Sequence, residues 1–130
     1  MRLLVAGGRD WTDEGFVYRV LDRVDHRRMI SALIHGGAPG VDTIAGEWAK
    51  LNGVMPEPYP VTKNEWTRLG KAAGPIRNQR MIDKGRPQGA VIFPGGRGSQ
   101  DMRRKLDKAG ITRFEPIPLV DLSEKEARAK

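Results

Sequence analysis

The chain has 130 residues, of which 38% are hydrophobic and 30% charged, a balance typical of one soluble globular domain. With no cysteine and only two histidines, a disulfide framework and a thiolate metal site are excluded, and neither a zinc site nor a cofactor is expected. No apolar run reaches the length of about 18 residues that predicts a membrane span, and the N-terminal segment lacks a signal-peptide pattern, so we expect a cytoplasmic protein. The net charge of +7 favours phosphate-bearing partners, although solvated helix faces of mixed sign also account for such a charge.

Apolar runs and helical periodicity alternate along the chain. The predicted strands cover residues 2–6, 31–35, a short extended segment within 54–61, 89–93 and 111–119. Three prolines in the third of these segments favour either an edge position in the sheet or a strand of only a few residues. The predicted helices run from an N-cap at Thr12 to Val24, from Val41 to Asn52-Gly53, over 75–85 and over 99–109.

Proline, glycine and polar residues set the expected ends of these elements. Pro75 is predicted to be the first residue of its helix, and Gly85 is predicted to follow its end. Residues 62–74 are polar and include Trp66. Because they lack apolar periodicity, they are predicted to form a loop with at most one helical turn.

The regular alternation of strand and helix predicts a single α/β domain over residues 1–120, with helices on both faces of a mostly parallel sheet of about five strands. The polar residues 121–130 are predicted to form a C-terminal tail. In such three-layer folds, ligands bind outside the carboxyl ends of the strands.

Glycine-rich turns follow three of the predicted strands, and they read AGGRDW (6–11), HGGAPGVD (35–42) and FPGGRGSQD (93–101). Glycine lets a ligand approach the backbone, and the N-terminus of the following helix attracts anions. A single such turn is explained by chain geometry alone, and neither the dinucleotide fingerprint nor the Walker loop is present. Three turns at one edge predict a phosphate-binding rim. Its candidate residues are Gly7, Gly8, Arg9, Asp10, Gly36, Gly37, Gly40, Asp42, Pro94, Gly95, Gly96, Gly98 and Ser99.

Charged side chains in these turns have two readings. Arg9 and Arg97 could each bind a phosphate through two N–H groups. Alternatively, they are exposed loop arginines with no ligand. Asp10 is a candidate to hold ribose hydroxyls, or it simply precedes the helix cap. Asp42 and Asp101 fall in first helical turns, where a favourable interaction with the helix dipole also explains them.

Two tryptophans and one basic segment add further candidates. Trp11 and Trp66 either stack on a base or cover the edge of the core. In the segment GPIRNQR, Arg77, Asn78 and Arg80 form a candidate anion-binding group, because cations in the first turns of a helix oppose its dipole. The alternative for this segment is a solvated basic face.

Four of these motifs together resemble a known superfamily. PGGRGSQDM resembles the P-G-G-x-G-T-x-x-E signature of the LOG-type phosphoribohydrolases, and GGAPGVDTIAGEWA resembles a pattern of the DprA-type DNA-processing proteins. Both belong to the SLOG superfamily, and with GGRDW and AGPIRNQRM the chain is most similar to its YspA-like branch. The resemblance implies a Rossmann-like fold and a nucleotide or ADP-ribose-like ligand, bound by a sensor or sequestering domain. It also implies a homodimer or higher homo-oligomer.

The resemblance to LOG enzymes implies an alternative function, the cleavage of the bond between base and ribose in nucleoside 5′-monophosphates. An arginine and the glutamate of the signature perform that reaction, and Arg77 matches the arginine. The glutamate position holds Met102, so Asp101, one residue earlier, would have to supply the carboxylate. Binding of single-stranded nucleic acid is a second alternative, although no run of aromatic residues interleaved with basic ones supports it.

Overall fold

A parallel sheet forms the centre of the structure, a computed structural model that describes residues 1–118. The predicted tail at 121–130 lies outside the described residues. The strands are β1 (Arg2–Ala6), β2 (Ala32–His35), β3 (Met55–Pro58), β4 (Gly89–Ile92) and β5 (Arg113–Phe114). They pair in the order β3-β2-β1-β4-β5, and every pairing is parallel. The predicted parallel α/β fold of five strands is confirmed, and the proline-rich strand lies at an edge.

Helices connect the strands and cover both faces of the sheet. Within residues 1–118 they are α1 (Glu14–Arg27), α2 (Val41–Leu51), α3 (Lys63–Leu69), α4 (Ala73–Gly85) and α5 (Arg97–Ala109). A single 3₁₀ turn, Gly70–Ala72, joins α3 to α4. None of the helices in this described part is long and apolar enough to cross a bilayer.

Two apolar clusters, one on each face of the sheet, form the core. Side chains alternate along β1, so Leu3 and Val5 pack on one face while Leu4 packs on the other. The first cluster joins β1 and β2 to α1 and α2 through Val17, Leu21, Ala45 and Trp48. The second joins β1 and β4 to α4 and α5 through Met81, Ile82, Met102 and Leu106. The three layers therefore follow from apolar stripes that the helices present to the sheet.

The prediction of a loop over residues 62–74 is wrong, because the segment forms α3 and the 3₁₀ turn. Thr62 caps α3 with a capping box: its hydroxyl accepts a hydrogen bond from the Glu65 N–H at 3.1 Å, and the Glu65 carboxylate accepts one from the Thr62 N–H at 3.2 Å. α3 buries no side chain, so it lacks the apolar periodicity on which the prediction relied.

Four predicted helix ends also need correction. Asp13, rather than Thr12, caps α1, since its carboxylate accepts a hydrogen bond from the Phe16 N–H at 3.1 Å. α4 begins at Ala73, so Pro75 is its third residue and not its first, and Gly85 is its last residue and does not follow it. α5 begins two residues earlier than predicted, at Arg97.

The carboxyl ends of the strands converge on the turn after β1. The main chain of Gly8 donates a hydrogen bond from its N–H to the Pro94 carbonyl at 2.9 Å, and its carbonyl accepts one from the Val41 N–H at 3.2 Å. The connections from β1 and β4 leave toward opposite sides of the sheet, so a switch point lies between these two strands. The three glycine-rich turns are therefore adjacent, as the sequence predicts.

Gly40 is one of the residues that permit this approach. Its φ is +78°, and a Cβ at this position would overlap the Gly8 carbonyl oxygen and lie 2.6 Å from that of Arg9. We predict that Gly40→Ala lowers the free energy of unfolding by about 3 kcal/mol or more, because strain and a backbone clash combine.

Gly53→Ala is the matched control, since Gly53 also has a positive φ, +67°, but no neighbour within 4 Å. The control should lose only the strain, about 1–2 kcal/mol. Urea denaturation measures both values, and equal losses in the two variants would contradict the close approach of the turns.

Candidate functional site

The turn after β2 uses its main-chain amides internally. The Asp42 carboxylate accepts hydrogen bonds from the N–H groups of Gly36 and Ala38, at 3.1 and 3.2 Å. Nδ1 of His35 accepts one from the Gly37 N–H at 3.0 Å. These amides already have partners, so a ligand at this turn would meet side chains rather than N–H groups.

The turn after β4 differs, because it leads directly into the exposed first turn of α5. Within residues 1–118, the N–H groups of Gly96, Arg97, Gly98 and Ser99 have no hydrogen-bond acceptor. Gly96, Arg97 and Gly98 are exposed. Unpaired N–H groups and the positive end of the helix dipole make such a turn suitable for an anion.

A side chain at position 96 or 98 would not clash with any other part of the described fold. A Cβ at either position would have no neighbour within 4 Å, and neither residue has a positive φ. Gly95 is different, since a Cβ there would overlap Ser99 Oγ and lie 2.8 Å from the Gly8 nitrogen. Packing of the turns therefore accounts for Gly95, whereas Gly96 and Gly98 leave open space beside free amides.

Arg77 reaches from α4 to the turn after β2. Its Nη1 donates a hydrogen bond to the Gly36 carbonyl at 2.5 Å, and its Nε donates one to Asn78 Oδ1 at 3.1 Å. Among the described residues, Nη2 has no partner. Burial lowers the pKa of Arg77, but a guanidinium stays charged at any physiological pH.

Asn78 links this arginine to the start of α5. The Asn78 side chain is buried, and its Nδ2 donates hydrogen bonds to the Gly98 carbonyl at 3.2 Å and to Asp101 Oδ2 at 3.0 Å. The structure thus joins Gly36, Arg77, Asn78, Gly98 and Asp101 in one hydrogen-bond network.

Asp101 is held in ion pairs. Its carboxylate accepts hydrogen bonds from Lys105 Nζ at 2.6 and 2.7 Å as well as from Asn78. Burial alone would raise the pKa of Asp101, but these hydrogen bonds outweigh it and keep the pKa below its ordinary value. Asp101 is therefore ionised and engaged in linking α4 to α5.

Met102 faces the core and not the site. Its side chain is 1% exposed and packs in the cluster that contains Leu4, Ile92 and Leu106. The position at which the LOG signature has its glutamate thus serves packing in this chain.

Arg80 pairs with a residue of α3. Its Nη2 donates a hydrogen bond to Glu65 Oε2 at 3.1 Å, which joins α4 to α3. Arg77 therefore bonds to the turn after β2 and Arg80 bonds to α3, although the two lie on neighbouring turns of α4.

A small cleft opens between the turn after β2 and α3, with a volume of about 90 Å³. Its lining residues are Arg9, Gly36, Gly37, Ala38, Pro39, Pro60, Val61, Trp66 and Arg77. The sequence marked Trp66 as a candidate to stack on a base, whereas Pro60 and Val61 were not among the candidate site residues. The Trp66 side chain is exposed in this cleft, whereas Trp11 packs against Phe16 and Phe93 with ring centroids 5.7 and 6.0 Å apart. Trp11 therefore covers the edge of the core.

The remaining candidates lie at the outer side of the turns. Arg9 and Asp10 are exposed after β1, and Arg97 is the exposed first residue of α5. Arg9 lines the cleft together with Arg77, so two guanidinium groups flank the turn after β2.

Asp42 lies buried beneath this pair of cations. Burial raises its pKa from the ordinary 3.8 to about 6, despite the hydrogen bonds from Ala38 and Gly36 and the charges of Arg77 and Arg9. Burial also lowers the pKa of His35, which favours the neutral imidazole that accepts the Gly37 N–H.

Comparison with known proteins identifies the family. The sequence model of the family described as "YspA, cpYpsA-related SLOG family" matches residues 1–67, which is half of the chain. The Gene 61 protein of Mycobacterium phage D29 is 34% identical over 131 residues, in an alignment that covers 95% of this chain and 98% of that protein. The chain belongs to the YspA, cpYpsA-related SLOG family. The resemblance inferred from the sequence motifs is confirmed.

The SLOG domain also has the fold of a solved DNA-processing protein. It superimposes on DNA processing protein A (DprA) from Streptococcus pneumoniae with a TM-score of 0.71 and 21% identity. The match covers 92% of this chain and 52% of that one, so the SLOG domain spans about half the length of DprA. At this identity the likeness concerns the fold alone.

The raised pKa of Asp42 predicts a pH-dependent stability. The native state binds this proton more tightly than the unfolded chain, so the stabilisation is complete below pH 3.8 and is lost as the pH rises through about 6. Asp42→Asn keeps an acceptor oxygen and cannot ionise. The free energy of unfolding of this variant, relative to that of the wild type, should therefore rise by about 2.5 kcal/mol between pH 4 and pH 7. Urea denaturation at several pH values measures this difference, and a flat difference would refute the shift.

The burial of Met102 predicts that the LOG glutamate cannot be restored at this position. Met102→Glu should lower the free energy of unfolding by at least about 3 kcal/mol, because it places an unpaired charge in the core. Met102→Leu, which conserves volume, should cost less than about 1.5 kcal/mol. Thermal unfolding monitored by circular dichroism distinguishes the two variants; a stable Met102→Glu protein would show that the side chain can turn toward the site.

Proposed function

We propose that this SLOG protein binds a nucleotide or a nucleotide-derived ligand, such as ADP-ribose, at the carboxyl edge of its sheet. A phosphate group lies at the first turn of α5 in this proposal. The observation that carries it is the open space at Gly96 and Gly98 beside main-chain amides without partners. Within a helix, glycine costs up to about 1 kcal/mol relative to alanine, and the close approach of a ligand would offset that cost at Gly98.

The charges around this turn support an anionic ligand. Arg77 contributes a guanidinium whose Nη2 has no partner within residues 1–118. Arg9 lies in the turn after β1 and Arg97 in the first turn of α5, and both side chains are exposed. A guanidinium suits a phosphate because its N–H groups bind two oxygens at once. The turns after β1 and β4 also flank the switch point, where ligands of doubly wound sheets bind.

The site supports binding more than cleavage of the ligand. Asp101 is paired with Lys105 and Asn78, and Met102 is buried, so neither residue offers a free carboxyl group for the reaction of LOG enzymes. A domain that retains its ligand suits a sensor or a sequestering protein.

Gly98→Ala tests the proposal. The added methyl group would occupy the space beside the free amides, so we predict that the affinity for AMP or ADP-ribose falls at least about 10-fold. The free protein should be unchanged or more stable by up to about 1 kcal/mol, because alanine favours the helix. Isothermal titration calorimetry and thermal unfolding measure the two effects.

Gly15→Ala is the matched control, because Gly15 is likewise the second residue of a helix, α1. A Cβ there would meet mainly the mobile end of Arg19. This variant should bind the nucleotides like wild type. If Gly98→Ala binds AMP and ADP-ribose as tightly as the wild-type protein does, the proposed phosphate site is contradicted. If the wild-type protein releases free adenine from AMP, the proposal of binding without cleavage is contradicted.

A further inference from the structure

The cleft beside α3 has an aromatic wall that phosphate binding at α5 does not use. Trp66 is 44% exposed, and Pro60 and Val61 extend the apolar surface beside it. Arg9 and Arg77 contribute cations to the same cleft. Flat apolar surface with guanidinium groups at its rim suits a planar aromatic group that is attached to an anion.

α3 holds Trp66 in place without packing into the core. The helix buries no side chain, and it is fixed by the Thr62–Glu65 capping box and by the 3.1 Å ion pair from Arg80 to Glu65. Glu65 is adjacent to Trp66 in sequence, and its side chain is only 13% exposed. The polar contacts of α3 therefore position Trp66, whose side chain is not buried in the core.

The aromatic cleft and the first turn of α5 share one side chain. Arg77 lines the cleft, and through Asn78 it connects to the Gly98 carbonyl in the first turn of α5. A ligand with a phosphate at one end and a ring at the other could therefore contact both regions across Arg77. The cleft, at about 90 Å³, admits part of such a ligand and leaves the rest outside.

We infer that Trp66 stacks on the nucleobase of the ligand and that Arg80 is a positioning residue that acts through Glu65. The inference rests on the proposed function and names the second end of its ligand, an aromatic base. Stacking tolerates any base because each has a π face, so purine and pyrimidine nucleotides should both bind through Trp66. Trp11 does not take this role, since it packs against Phe16 and Phe93.

The test compares AMP with ribose 5-phosphate, which has the same sugar phosphate but lacks the base. Trp66→Ala should reduce the affinity for AMP by about 5- to 100-fold, and the affinity for ribose 5-phosphate should stay within about 2-fold of wild type. Since α3 buries no side chain, the variant should fold, and thermal unfolding checks this. Trp66→Phe keeps a ring and should bind AMP within about 5-fold of wild type.

Tryptophan fluorescence supplies an independent readout. AMP should quench the emission of the wild-type protein, and Trp66→Phe should lose that quenching although Trp11 and Trp48 remain.

Arg80→Gln should weaken AMP binding and leave ribose 5-phosphate binding unchanged, because it frees Glu65 and lets α3 shift. Arg80→Lys, which keeps the ion pair, should restore most of the affinity for AMP.

The outcomes separate this inference from the proposed function. If the wild-type protein binds AMP and Trp66→Ala binds it equally well, the stacking role is refuted while the phosphate site stands. The stacking role is also refuted if Trp66→Ala lowers the affinity for AMP and the affinity for ribose 5-phosphate by the same factor. If the wild-type protein binds neither compound nor ADP-ribose, both the inference and the proposed function fail.

Discussion

The structure of the site depends on the close packing of three backbone turns around the peptide of Gly8. That residue bonds through its N–H to Pro94 and through its carbonyl to Val41, so the turns after β1, β2 and β4 are tied by main-chain hydrogen bonds. A side chain at Gly40 or Gly95 would intrude into this contact. Glycine is thus required for one turn to touch the next, before any ligand is considered.

The same glycine-rich turns divide into two physical roles. The turn after β2 closes on itself, because Asp42 and His35 accept its N–H groups. Arg9, from the turn after β1, and Arg77, from α4, line the cleft beside it. The turn after β4 leaves its amides unpaired within the described residues and has open space at Gly96 and Gly98. In the proposed function, the free amides of one turn and the guanidinium groups beside the other bind the same anionic ligand.

The sequence predicted the parallel α/β sheet because apolar runs and helical periodicity are local signals, and it predicted that the glycine turns share one edge. It missed α3, which buries no side chain and so has no apolar stripe; the T-x-x-E capping box at Thr62 was the available signal. The amides of the turn after β2 bond to side chains of the protein, and Arg80 pairs with Glu65. Both features depend on tertiary contacts that the spacing of residues in the sequence does not reveal. Absence of the LOG glutamate was evident from the sequence, but the burial of Met102 required the fold.

An amide NMR titration with AMP tests the central claim most directly. In a ¹⁵N–¹H correlation spectrum, the N–H signals of Gly96, Arg97, Gly98 and Ser99 should shift the most, because these groups are free to bind phosphate. The signals of Gly36, Gly37 and Ala38 should shift less, since their hydrogen bonds to Asp42 and His35 persist. Saturable shifts confined to residues away from α5, with Gly96 and Gly98 unchanged, would contradict the account.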